Sequence, residues 1–227
     1  WRFPIVKRIA LVTGGSKGIG KAVCEKLEAL GYVVAAPAHC ELDLSSSESV
    51  KAFLELHKND VYDVIINNAG INDINDIEMV TDEEIERAMQ INLVSPLKIL
   101  RKFVPAMKEK RYGRIVNIGS IWGIVSKRGR VVYSMTKHGI HGITKTLAVE
   151  LAEYNILVNT ICPGYTLTEL TYKNNSEEQI RNIEKDIPIQ RMARPDEIAD
   201  AIIYFAQDRN TYITGQLIAV DGGFTSK

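Results

Sequence analysis

The chain has 227 residues, of which 45% are hydrophobic and 25% charged. That is enough for one sizeable core, and α/β chains of this length commonly form one domain, here residues 1–227. Lys+Arg and Asp+Glu both total 28, so no global field recruits nucleic acid or an anionic membrane surface. No apolar run approaches the roughly 18 residues of a membrane span, and the first residues carry no signal-peptide pattern. Cys24, Cys40 and Cys162 lack metal-ligand spacing. They predict reduced packing thiols, no bound metal and a cytoplasmic protein.

Residues 8–12 (RIALV) predict a buried strand, residues 13–20 (TGGSKGIG) a turn, and residues 21–30 an amphipathic helix. Gly14, Gly18 and Gly20 remove side chains where a backbone must approach a diphosphate. Its charge then meets the amides and positive dipole of a helix N-terminus. A second strand is predicted over 32–36, and only PAHCELDL precedes the helical signal at 45–56. That is too short for a helix and a full strand, so one crossover is missing. No acid stands at Pro37, Ala38 or His39 to bind a ribose 2′-hydroxyl. A 2′-phosphate is therefore favoured, with Lys17 and His39 as its cations unless Lys17 is simply a solvated loop lysine.

Residues 61–66 (VYDVII) predict a strand ending in Asn67, Asn68, Ala69 and Gly70, a turn fit to hold a ligand or to serve structure alone. Thr81 and Glu84 have capping-box spacing and open a long helix with Asn92 in its middle. Ser120 follows a strand predicted over 114–118, at the end where parallel sheets gather ligands. In a helix over 133–150, Tyr133 and Lys137 lie one turn apart on one face. A free phenol titrates at about 10, and a cation so placed acts to bring it toward neutrality. A strand over 156–161 leads to Pro163 and Gly164, residues 165–194 read as a lid, and a helix over 195–206 and a strand over 216–220 close the chain. The alternation implies a doubly wound parallel α/β sheet.

Thr13 and Gly14 with Gly18 and Gly20, the run from Asn67 to Gly70, Asn92, Ser120, Tyr133 with Lys137, Pro163 with Gly164, and the closing Asp221, Gly222 and Gly223 together resemble the short-chain dehydrogenase/reductase family. The resemblance implies a three-layer α/β/α Rossmann-type fold, curtailed after the second strand. It implies NAD(P)(H)-dependent interconversion of a secondary ketone and alcohol by hydride transfer. Tyr133 would be the general acid and base, and Ser120 would hydrogen-bond the substrate oxygen. Lys137 would lower the phenol's pKa and bind the nicotinamide ribose, and Asn92 would bend its helix and hold a proton-relay water with its backbone. Implied cofactor contacts are Gly14, Ser16, Lys17, Gly18, Ile19, Gly20, Asp43, Leu44, Asn68, Ala69, Gly70, Tyr133, Lys137, Pro163, Gly164, Thr166 and Thr168. NADP(H) is favoured, with NAD(H) open.

Within the family, the stretches KEKRYGRIVNIGS, ARPDEIA and YITGQLIAVDGG most resemble bacterial 3-oxoacyl-(acyl-carrier-protein) reductases. That implies a carrier-bound 3-oxoacyl substrate, or else a sugar or other small-molecule ketone, and a homotetramer or homodimer. Of the two arginines with which those reductases dock the acidic carrier protein, one falls on Arg111 and the other position is Tyr154. Trp122 either lines the substrate pocket or packs. Lys127, Arg128 and Arg130 either receive an anionic substrate or form a solvated loop. A nucleotide-binding protein without turnover is the alternative from another class.

Overall fold

The buried apolar runs become six strands, and the amphipathic segments between them cover both faces of the resulting sheet. The computed structural model describes residues 7–227, with the backbone alone at Leu170, Lys173 and Asn174. The strands are β1 (Ile9–Val12), β2 (Val33–Ala35), β3 (Val64–Asn67), β4 (Gly113–Ile118), β5 (Ile156–Pro163) and β6 (Leu217–Val220). All pairs are parallel, in the order β2-β1-β3-β4-β5-β6. The helices are α1 (Gly18–Ala29), α2 (Ser47–Leu56), α3 (Asp82–Met89), α4 (Ser95–Lys110), α5 (Val131–Leu151), α6 (Glu169–Asn174), α7 (Glu177–Asp186) and α8 (Pro195–Ala206).

Alternate strand residues face opposite ways. Leu11, Ile65, Ile115 and Val158 pack with Val50, Phe53, Phe103, Met107 and Leu151 from α2, α4 and α5. Ala10, Val12, Ile66 and Val116 pack with Val23 and Leu27 of α1 and Ile198 and Ile202 of α8. Each such side chain removed from water contributes about 1.5–3 kcal/mol. The three-layer Rossmann-type arrangement expected from the sequence is the one formed.

The missing crossover is real. β2 is an edge strand of three residues paired only with β1, from Ile9 opposite Val33 to Leu11 opposite Ala35. β3 joins the other side of β1, so connections reverse there and leave a crevice at the carboxyl ends.

Two local features sharpen the expectation, the first of them the helix bend implied at Asn92. The helix through Asn92 is interrupted by a π-helical turn, Gln90–Val94, between α3 and α4. The stretch read as a lid holds two helices, α6 and α7. Cys24 and Cys162 are buried thiols, but Cys40 is exposed, because it lies in the short polar stretch after β2 rather than under a helix. Among the described residues no cluster of side chains suits a metal ion, and no helix is long and apolar enough to cross a membrane.

Candidate active site

A cleft of about 410 Å³ opens at the carboxyl ends of β1, β3, β4 and β5. At one end lies the glycine turn. α1 starts after Lys17 with no side chain capping its amides and no acid in its first turn. Those N–H groups and the helix dipole are left for an anion. Gly18 has φ of +54°, a conformation that costs other L residues about 1–2 kcal/mol. Gly20 lines the cleft and has a second reason to be bare. A Cβ there would stand 2.1 Å from the Gly14 carbonyl oxygen and 2.5 Å from Asn68 Nδ2. Its bareness lets α1 close onto the turn.

Thr13 ties this turn to the one after β3, a role its type alone did not signal. Its Oγ1 accepts from the amides of Asn68 and Ala69 at 3.0 and 3.1 Å. Asn68 Nδ2 in turn donates to the carbonyls of Thr13 and Gly14 at 2.9 and 3.1 Å. The Asn68 amide is therefore a strut. Ala69 and Gly70 line the cleft beside it, as do Ser16, Lys17, Ile19, Pro163, Gly164, Thr166 and Thr168. Lys17 Nζ lies 3.4 Å from the carboxylate of Glu169 on α6, both exposed.

At the other end Ser120, Tyr133 and Lys137 converge. Ser120 follows β4, its Oγ accepting from the Trp122 amide at 3.2 Å and reaching the Tyr133 hydroxyl. Lys137 is only 4% exposed. Its Nζ donates to the Ile118 carbonyl at 2.7 Å and lies 5.4 Å from the centre of the Tyr133 ring. Burial holds this ammonium down to about 8. Burial also pushes the Tyr133 phenol up, while the Ser120 hydroxyl and the Arg130 guanidinium pull it back. The phenol lowered by Lys137 is thus not what this geometry produces. Burial disfavours both charged forms, and Lys137, which donates to a backbone carbonyl, is not among the groups that pull the phenol back.

Asn92 sits behind the cleft, buried in the π turn. Its Oδ1 accepts from the Ile71 amide at 2.9 Å, and its Nδ2 donates to the Ile71 carbonyl at 2.9 Å and to Thr136 Oγ1 at 3.1 Å. It flanks Gly70 together with Lys137: a Cβ on Gly70 would be 3.2 Å from Asn92 Oδ1 and 3.6 Å from Lys137 Nζ.

Two expected cofactor residues do not line the cleft. Leu42 and Leu44 bury in the core, which turns the intervening Asp43 away from it. The Asp43 carboxylate accepts from the amide and hydroxyl of Ser45 at 2.8 and 2.6 Å. The Leu44 carbonyl accepts from Ser95 Oγ at 2.8 Å. Conversely, Glu41, just past positions 37–39, accepts from the Ala38 amide at 2.7 Å. It brings a carboxylate to the segment that follows β2. His39 lies 3.8 Å from Asp43.

Trp122 both packs and lines the cleft. It meets Tyr165 and Phe224 edge-on at 5.9 Å each, and those two meet at 5.6 Å. The nearby basic run splits. Arg128 pairs in solvent with Asp76 at 2.8 and 2.5 Å, and Lys127 donates to the Tyr165 hydroxyl at 2.8 Å. Arg130 turns into the cleft wall. Farther away, Arg111 donates to the Glu153 carbonyl at 2.6 Å, with its guanidinium 5.8 Å from the Tyr154 ring.

Residues 10–225 match a family model described as enoyl-(acyl carrier protein) reductase. The chain is 36% identical to the 3-oxoacyl-(acyl-carrier-protein) reductase of Haemophilus influenzae, with 95% of this chain and 97% of that one covered. A short chain dehydrogenase family protein from Francisella tularensis superposes with a TM-score of 0.89 at 33% identity, covering 98% and 100% of the two chains. The structure of a 4-hydroxyisoleucine dehydrogenase complexed with NADH superposes with a TM-score of 0.91 at 28% identity, covering 97% and 100%. With nearly every residue inside these matches, the chain belongs to the short-chain dehydrogenase/reductase family, as an NAD(P)-dependent oxidoreductase.

Proposed function

We propose that the protein reduces a secondary ketone to an alcohol with NADPH, as a ketoreductase of the 3-oxoacyl-(acyl-carrier-protein) type, and oxidises the alcohol at the same centre. The observation that carries this reading is the meeting of Ser120, Tyr133 and Lys137 beside an uncapped helix N-terminus. The nicotinamide cofactor, when bound, supplies the hydride. The glycine turn and the α1 amides hold its diphosphate, and Ala69, Gly70, Pro163, Gly164, Thr166 and Thr168 line its path. Ser120 hydrogen-bonds the substrate oxygen and Tyr133 delivers the proton to it. Lys137 binds ribose hydroxyls, and Ser120, whose hydroxyl pulls the phenol's pKa down, steadies the tyrosinate that remains. Asn92 keeps the π turn in place for the water that returns the proton.

Replacing Tyr133→Phe is expected to lower ketone-dependent NADPH oxidation by about 10²–10⁴-fold with NADPH binding retained. Turnover at the wild-type rate would overturn the mechanism. A small-molecule ketone is the second reading of the substrate. It is favoured by Arg111, whose guanidinium is occupied by the Glu153 carbonyl, and by Tyr154 at the other docking position. We read the chain as one domain of a cytoplasmic homotetramer. Exposed Leu97 on α4 and Val131, Met135 and Val149 on α5 support the assembly.

A further inference from the structure

Arg130 is a cation buried without a partner. It is 8% exposed, and its Nε and Nη1 are shut from solvent with no hydrogen-bond acceptor. Among the described residues no carboxylate lies within ion-pair distance of it. A guanidinium stays charged at any ordinary pH, so this arrangement is costly unless something arrives to pair with it. Neighbouring charges do not compensate. Asp76 is held outside by Arg128, and Glu169 faces Lys17 at the cofactor end. α5 begins immediately after Arg130 with no acid in its first turn and no side-chain cap, so its positive end adds to the field. Arg130 lines the cleft with Ser120, Tyr133 and Trp122, where the aromatic wall offers an apolar bed for a short carbon chain.

We propose that Arg130 binds a carboxylate of the substrate, so that the ketone this enzyme reduces is an oxo acid and its alcohol a hydroxy acid. This rests on the ketoreductase reading and takes its small-molecule substrate, because a carrier-bound thioester has no free carboxylate. A single planar guanidinium between phenols and an indole matches a planar carboxylate, the anion such a fork pairs with best.

Linear oxo acids with the ketone at carbon 2, 3, 4 or 5 and their methyl esters, assayed with NADPH on wild type and Arg130→Met, test this. The wild type is expected to prefer at least one acid over its ester by about 100-fold in kcat/KM. Arg130→Met should lose about 100-fold more on that acid than on the ester, the ester reporting only what the Tyr133 phenol loses with the guanidinium. Equal use of acid and ester by the wild type, or an equal loss on both in the variant, overturns the assignment. Binding is read without turnover by titrating the matching hydroxy acids onto the protein–NADPH complex and following tryptophan fluorescence. A hydroxy acid that binds wild type but not Arg130→Met supports the assignment even if no ketone is reduced, in which case it is the ketoreductase reading that fails. Arg130→Met loses no internal partner, so its Tm should equal or exceed that of wild type. A lower Tm would mark Arg130 as structural and overturn its role in binding.

Discussion

Burial sets Lys137 in opposition to its own task. Folded, its ammonium titrates at about 8, against 10.5 for a free lysine. Between those values the unfolded chain holds the extra proton, so this residue makes stability rise with pH across that window. In the proposed mechanism the ammonium contacts the ribose hydroxyls, and it is lost as pH climbs past about 8. Two pH series are therefore expected to run in opposite directions from pH 7 to 10. Urea unfolding should show the Lys137 contribution as stability that wild type gains relative to Lys137→Met, while the Kd for NADPH rises in wild type and stays flat in the variant. A wild-type Kd independent of pH would show that Lys137 does not make that contact as a cation. The four-residue spacing of Tyr133 and Lys137 was legible in the sequence. The raised phenol was not, since it follows from the depth at which α5 packs against β4 and β5.

At the scale of elements, the proposed cofactor choice rests on the end of β2. Its three residues stop short, and the polar segment that follows carries no acid at positions 37–39. Lys17 in the glycine turn and His39 in the segment after β2 are the cations proposed for a 2′-phosphate. Glu41, drawn onto the Ala38 amide, is the one feature that favours a ribose hydroxyl instead. Parallel fluorescence titrations are expected to give NADPH the tighter binding by about 10-fold, the scale of one charge-assisted contact. Tighter NADH binding would assign the site to Glu41. The missing crossover could be counted from eight letters of sequence. The fold-back of Glu41 could not, because it is a contact made by a loop whose path the truncated sheet edge decides. A bend at Asn92 was implied by resemblance, but its π-helical form was not, since helical periodicity continues through Gln90–Val94 and the partners of the Asn92 side chain, Ile71 and Thr136, lie tens of residues away.

On the scale of the whole molecule, α5 presents opposite characters along its length. Thr136, Lys137, Ile140 and Thr144 face the interior, while Val149 stands 83% exposed. Light scattering is expected to give a mass near four times the 25.4 kDa of one chain, and Val149→Glu a smaller species with the wild-type fold. A monomeric wild type would remove the tetramer from the proposal. The sequence by itself determined the strand–helix alternation, the glycine turn, the curtailed edge and the order of Ser120, Tyr133 and Lys137. Each is written in residue types only a few positions apart, where backbone geometry fixes who faces whom. The tertiary structure alone decided that Asp43 leaves the cleft, that Asn68 braces a turn, and that of three neighbouring cations Arg130 alone is buried without a counter-charge. Those outcomes depend on burial and on partners tens of residues away, and local spacing carries no record of either.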